Sequence, residues 1–213
     1  MHRQQKITSE KPAASRTISG RPRDEAARIA ILDAANSILE DKGIAGFTIE
    51  AVASRAKVAK TTIYRWWPSK GSLAIAGLLA ATAPKITYSN KGSVVTDLVG
   101  QLRRVAAVYG GKTGRVLAAI IADGQRDPST IAAFMEGYAR PRREEAAAIL
   151  AAGIARGELR KDIDIETALD ALYGPIYYRM LIPLGALDSA WIESLASHVL
   201  LGLVNRADSL RRR

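Results

Sequence analysis

One proline constrains this chain more than any other residue. In the stretch KTTIYRWWPSK, Lys60 to Lys70, Pro68 cannot continue a helix and disfavours helical backbone at the residue before it. The segment TTIYRWW therefore makes only about one and a half to two turns. A second short segment, IEAVASRA, precedes it, with Ile49, Val52 and Ala53 pointing one way and Thr48 placed as its cap. KVAK joins the two. Upstream, Ile31, Ala34, Ala35 and Ile38 line one face of a helix that starts near Arg23. Asp24 and Glu25 suit its positive end, and Gly43 is placed to close it. Ser69 caps a fourth segment, KGSLAIAGLLAA, so three small helices lead into a connector helix.

The rest of the chain is rich in alanine and leucine and lacks the period-two alternation of strands, so the fold class is all-α. From Pro84 to Gly92 the sequence is polar and broken, as expected at a domain boundary. Longer helices follow at about Val94–Tyr109, Gly114–Asp123, Pro128–Arg156, Ile165–Leu181 and Ser189–Asn205, with Pro141 placed to kink or split the third. Three parts are expected: a disordered basic arm over residues 1–22, a small helical domain with its connector over 23–83, and a larger helical domain over 84–213.

Composition removes several classes of function. There is no cysteine, hence no disulfide and no thiolate chemistry. His2 and His198 are the only histidines, so a zinc site is not expected, nor any other metal or cofactor. No apolar run resembles a signal peptide or is long enough to span a bilayer, and the chain reads as cytoplasmic. Net charge is +10. Residues Met1 to Lys70 carry 13 basic and 7 acidic side chains, whereas the remaining 143 residues carry a surplus of only +4. Positive charge is thus concentrated where a polyanion would be met, although a well-solvated basic surface explains the total equally well.

Two short helices joined by a tight turn form a helix-turn-helix, whose second helix is narrow enough to enter a major groove. Thr48, Lys60, Thr61, Thr62, Tyr64 and Arg65 supply the hydroxyls and cations that groove and phosphate contacts need, and Lys70 sits on the first turn of the next helix. Ile63 and Trp67, four apart, turn inward; Trp66 is left on the outer face. Taken singly, each residue has a plainer reading as a cap or as core. Together, at this spacing, they favour double-stranded DNA.

The stretch IAILDAANSILEDKGIAGFTIEAVASRAKVAKTTIYRWWPSKGSLA resembles the DNA-binding domain of the tetracycline-repressor (TetR) family of regulators. RGELRKDIDIETALDALYGPIYYRML resembles, more loosely, the C-terminal domain of one branch of that family. The resemblance implies a homodimer paired through its last two helices, a cavity for a small-molecule effector, and an operator as partner. It further implies phosphate contacts from Thr48, Tyr64 and Lys70 and groove contacts from Lys60 through Trp66. Two positions depart from the family. Lys57 stands where glycine is usual, at a conformational cost if φ is positive, and Ala59 stands where serine would cap the recognition helix.

Elsewhere, GGKTG at Gly110 to Gly114 lacks the glycine spacing and the preceding strand of a phosphate loop, so a helix-helix loop is expected. Arg16, Arg21 and Arg23 suit either a minor-groove arm or a solvated tail. RPRREE, Arg140 to Glu145, reads as a solvated helix face. Tyr173 and Tyr177 share a helix face and could line a pocket with Arg179 as polar anchor, or else belong to core or to a dimer interface. Tyr109, Phe134, Met135 and Tyr138 are further candidates for the pocket, with core as the plainer reading. No nucleophile groups with a base and an orienting partner, so no catalytic residue is assigned. The function expected is a repressor released from a pseudo-palindromic operator by a small molecule; the alternative is a carrier or enzyme that keeps the helix-turn-helix as scaffold.

Overall fold

The computed structural model describes residues 21–89 and 92–204. The arm expected over residues 1–22 lies outside them apart from Arg21 and Pro22, where the first helix already begins. The helices are α1 (Arg21–Lys42), α2 (Ile49–Ala56), α3 (Lys60–Tyr64), α4 (Lys70–Thr82), α5 (Val94–Tyr109), α6 (Lys112–Gly124), α7 (Pro128–Phe134), α8 (Arg140–Ala155), α9 (Ile165–Leu181) and α10 (Ser189–Leu203). A single 3-10 turn, Ala83–Lys85, follows α4, and a π-helical segment, Met135–Ala139, joins α7 to α8. Among the described residues, extended pairing is confined to one isolated bridge, Leu159 with Val204. The fold is all-α, as the sequence requires.

Local chemistry sets the helix ends. Thr48 Oγ1 accepts from the Ala51 N–H at 3.1 Å, and Gly43 N–H closes α1 on the Leu39 carbonyl at 3.0 Å. Ser69 and Ser72 cap α4 reciprocally, each side chain bonding the other's backbone N–H. Lys57 does adopt left-handed backbone (φ 55°, ψ 44°), and it is the one non-glycine residue with positive φ among those described. Ala59 precedes α3 with no side-chain cap. The recognition helix is shorter than TTIYRWW suggests: it ends at Tyr64, and Arg65–Trp66 form a turn before Pro68. Only Gly110 and Gly111 of GGKTG lie between helices, because α6 begins at Lys112.

The fold is built around α4. It packs on α1 at one side and on α7 and the π segment at the other. Leu73, Ala74, Ile75 and Leu78 bury themselves there, against Ile31, Ala35, Ile38 and Leu39 of α1 among others. Beyond α4, helix α5 lies against α6, α8, α9 and α10, and Leu98, Leu102, Leu150, Leu169, Leu172 and Ile192 make that core. Pro141 explains the π segment. A regular helix would bring its ring against the Gly137 carbonyl and would lack its N–H. The chain widens just ahead instead, with Arg140 N–H reaching the Met135 carbonyl five residues back.

Two glycine-related positions test this account of the backbone. Lys57→Gly removes the left-handed strain and raises unfolding free energy by about 1 kcal/mol. Gly114→Ala does the opposite, since a Cβ there would overlap the Tyr109 carbonyl oxygen. A loss of about 2–3 kcal/mol is expected from so severe an overlap. Urea denaturation of both variants checks the opposite signs.

Candidate nucleic-acid interface and ligand cavity

The α2–turn–α3 unit is held by its inward residues. Ile63 is fully buried and Trp67 nearly so, with Phe47, Ile49 and Val52 in the same core. Tyr64 and Trp66 remain 51% and 40% exposed, which is unusual for rings of that size. Thr48, Lys60, Thr61, Arg65 and Lys70 are exposed as well, and Thr62 is half-buried. The two tryptophans therefore divide as their spacing suggests: Trp67 packs inward and Trp66 faces out, their ring centres 6.2 Å apart. One contact was not legible beforehand. Lys60 Nζ donates to Glu50 Oε1 at 3.0 Å, across the turn. That bond holds the Glu50 carboxyl below its usual range and raises Lys60. Both groups lie in water, so the pair adds little to stability.

A cavity of about 220 Å³ lies among the residues that follow α4. Helix α5 contributes Gln101, Val105 and Tyr109, successive residues of one i, i+4, i+8 stripe. Phe134 of α7, Met135 and Ala139 of the π segment, and Arg142 and Arg143 of α8 form another wall; α9 adds Tyr173 and Tyr177, and the α4–α5 connection adds Ile86 and Tyr88. Tyrosine hydroxyls pair in and beside it. Tyr88 and Tyr173 lie 2.8 Å apart, Tyr109 and Tyr138 2.7 Å, and Tyr109 and Tyr177 3.4 Å. The Tyr109 and Tyr177 rings meet edge to face at 5.6 Å.

Of the six pocket residues expected, Tyr109, Phe134, Met135, Tyr173 and Tyr177 line the cavity. Tyr138 stands behind its wall, stacked on Phe134 at 5.7 Å and tied to the Tyr109 hydroxyl. Two expectations need correcting. Arg179 is no anchor for this cavity: its guanidinium lies 4.1 Å over the Trp191 ring and donates to the Ala186 carbonyl at 3.0 Å. Nor is RPRREE merely a solvated face, because Arg142 and Arg143 belong to the cavity wall. The helical phase shift at the π segment turns them there, and charge pattern alone could not reveal it. Gln101 was missed too, though a glutamine in the apolar stripe of α5 was a readable signal. No group of three or more metal-ligating side chains occurs among the described residues. Nor is any single helix among them long and apolar enough to cross a membrane.

Residues 31–76 match the family described as bacterial regulatory proteins, tetR family, and residues 89–199 match the tetracyclin repressor-like C-terminal domain. The chain belongs to the TetR family of transcriptional regulators. It is 35% identical over 184 residues to an uncharacterised helix-turn-helix transcriptional regulator of Bacillus subtilis, YdeS, covering 86% of this chain and 93% of that one. It is 31% identical to the DNA-binding transcriptional repressor TetR of Mycobacteroides abscessus, over 85% of this chain and 96% of that one. Among solved structures, the TetR family transcription regulator SCO0332 superposes with a TM-score of 0.75 at 35% identity, covering 84% of this chain and 99% of that one.

Burial pushes the phenols of Tyr88, Tyr109, Tyr138 and Tyr173 up, and that of Tyr177 up to about 12. The folded protein therefore keeps these protons to higher pH than the unfolded chain does. Stability is complete below the ordinary tyrosine range near 10 and falls as pH rises toward the folded values. In an alkaline titration these five of the seven phenolates appear only as helical circular dichroism is lost. Their ionisation in a fully helical protein would contradict the buried, paired arrangement.

Proposed function

We propose that this regulator binds a two-fold-related operator as a homodimer and is released when a small molecule fills the cavity. The observation that carries the DNA reading is the outer face of α3 and the turn after it: Tyr64 and Trp66 are exposed beside Lys60, Thr61 and Arg65, on a unit locked from behind by Ile63. An aromatic side chain left in water gains nothing for the fold, so a partner is its natural explanation. In this reading Lys60, Thr61, Thr62, Arg65 and Trp66 approach base edges, while Thr48, Tyr64 and Lys70 hold phosphates. The Lys60–Glu50 pair then opens, and Lys60 exchanges the carboxylate for base-edge acceptors. Residues 23–83 form the DNA-reading part and 84–213 the effector and pairing part.

Pairing is supported by apolar surface on the last two helices and the link between them. Tyr178, Leu181, Ile182, Leu184 and Leu201 are each more than 40% exposed. Burying such a patch against its copy fixes the distance between two recognition helices, and hence the half-site spacing. Repression follows from occupying the operator. Release follows if the effector binds more tightly to a dimer whose recognition helices are wrongly spaced. The cavity supports binding rather than catalysis, because its hydroxyls are engaged with one another.

Selection of bound sequences from a random DNA pool tests this directly. An enriched near-palindrome is expected, lost or strongly depleted with Tyr64→Ala. Lys70→Ala should weaken all sequences alike and reduce the slope of log affinity against log salt by about 1 per subunit. Absence of any enriched sequence for the wild type at moderate salt would overturn the reading.

A further inference from the structure

We propose that the cavity selects an uncharged aromatic molecule of one or two rings bearing a hydroxyl or amide, and that Gln101 reads that group as a hydrogen-bond donor. The inference rests on the cavity being the effector site and adds the chemistry that fills it. Size sets the first bound. The volume of about 220 Å³ exceeds the roughly 150 Å³ of an apolar cavity able to hold benzene. Val105, Phe134 and Met135, with the tyrosine rings, give the body of the ligand an apolar and aromatic lining.

Two residues of the wall each carry an unmet buried polar atom. Gln101 is 1% exposed, and its Nε2 donates to the Ile86 carbonyl at 2.8 Å. A carbonyl only accepts, so the amide cannot turn over, and Oε1 is left buried without a partner. Arg142 Nε is likewise buried and unpartnered. One side chain thus lacks a donor and the other lacks an acceptor. A hydroxyl is the smallest group able to answer both, and an amide does so with two atoms.

Charge excludes the other classes. Arg142 is paired with Glu145 at 3.0 Å, and Arg143 with Glu166 and with Asp170 at 2.7 Å. Three carboxylates already answer the two guanidiniums, so an incoming carboxylate finds no unanswered cation and would oppose the Gln101 oxygen. A cationic ligand would find no carboxylate among the residues of the wall. Burial, which pushes the surrounding phenols up, penalises an ionised ligand in the same way.

Titration of the full-length protein at neutral pH with 2-naphthol, 2-naphthamide, 2-methoxynaphthalene, 2-naphthoate and 2-naphthylmethylammonium tests the proposal. The naphthol and the amide should bind about tenfold more tightly than the methyl ether, which cannot donate, and than either ion. Gln101→Leu should reduce the preference over the ether to within about twofold, because the tenfold rests on that one hydrogen bond. Gln101→Met serves if the leucine variant melts early. Tightest binding by an ion, a preference indifferent to residue 101, or no binding by any probe overturns the assigned class. Val105→Phe, which fills the cavity, separates the two levels. Probes that bind it as well as they bind wild type refute the cavity as effector site; probes excluded by it but ranked otherwise refute only the chemistry.

Discussion

The structure depends on one helix being packed closely on two sides. At Gly77, α4 approaches α1 so nearly that a Cβ would lie 2.9 Å from the Ala35 methyl and 3.2 Å from the Asn36 backbone nitrogen. At Gly71, a Cβ would lie 2.8 Å from Thr130 Oγ1 of α7. Interiors packed at this density transmit displacement because they have no slack to absorb it. Thr130 is itself fixed, buried and donating to Asp127 Oδ2 at 2.8 Å within the cap of α7. The first turn of α4, which carries Lys70, is therefore seated on the same helical run that ends in the cavity wall.

That run is the second element with consequences. From Pro128 to Ala155 it passes through α7, the π segment and α8, and it presents Phe134, Met135, Ala139, Arg142 and Arg143 to the cavity. Gly137, between them, brings the π segment to Ile75 of α4, where a Cβ would meet a methyl at 3.2 Å. Single π turns inside helices are rare and occur frequently at functional sites. The segment that a ligand would touch is thus also the segment that touches α4, which is the physical basis for proposing that one site reports to the other.

Much of this was legible in the sequence, and the boundary of legibility has physical causes. Caps and stops are local, so Thr48, Ser69 and Pro68 announced their helices, whereas the left-handed backbone at Lys57 was suggested only by the glycine usual there in the family. Inward and outward faces follow from helical spacing, which separated Trp67 from Trp66. The basic, hydroxyl-rich face of the helix-turn-helix was therefore readable residue by residue. The cavity was only half readable. Tyr109, Phe134, Tyr173 and Tyr177 could be named as aromatic residues at helical spacing, but which of them meet depends on how three distant helices cross. Arg142 and Arg143 were misread because a shift of helical phase lies just before them. Arg179 was misread because its partner, Trp191, comes from the next helix. The Lys60–Glu50 pair spans a turn whose geometry no local pattern specifies.

The central claim is that occupancy of the cavity and affinity for DNA are linked through α4. A permanently filled cavity tests it without knowledge of the natural effector. Operator affinity of Val105→Phe, in a variant shown by melting and circular dichroism to be folded, should fall at least about fivefold, the lower end of ordinary allosteric coupling. Every residue of the proposed DNA face is untouched in that variant. Unchanged operator affinity in the folded, filled protein would contradict the account.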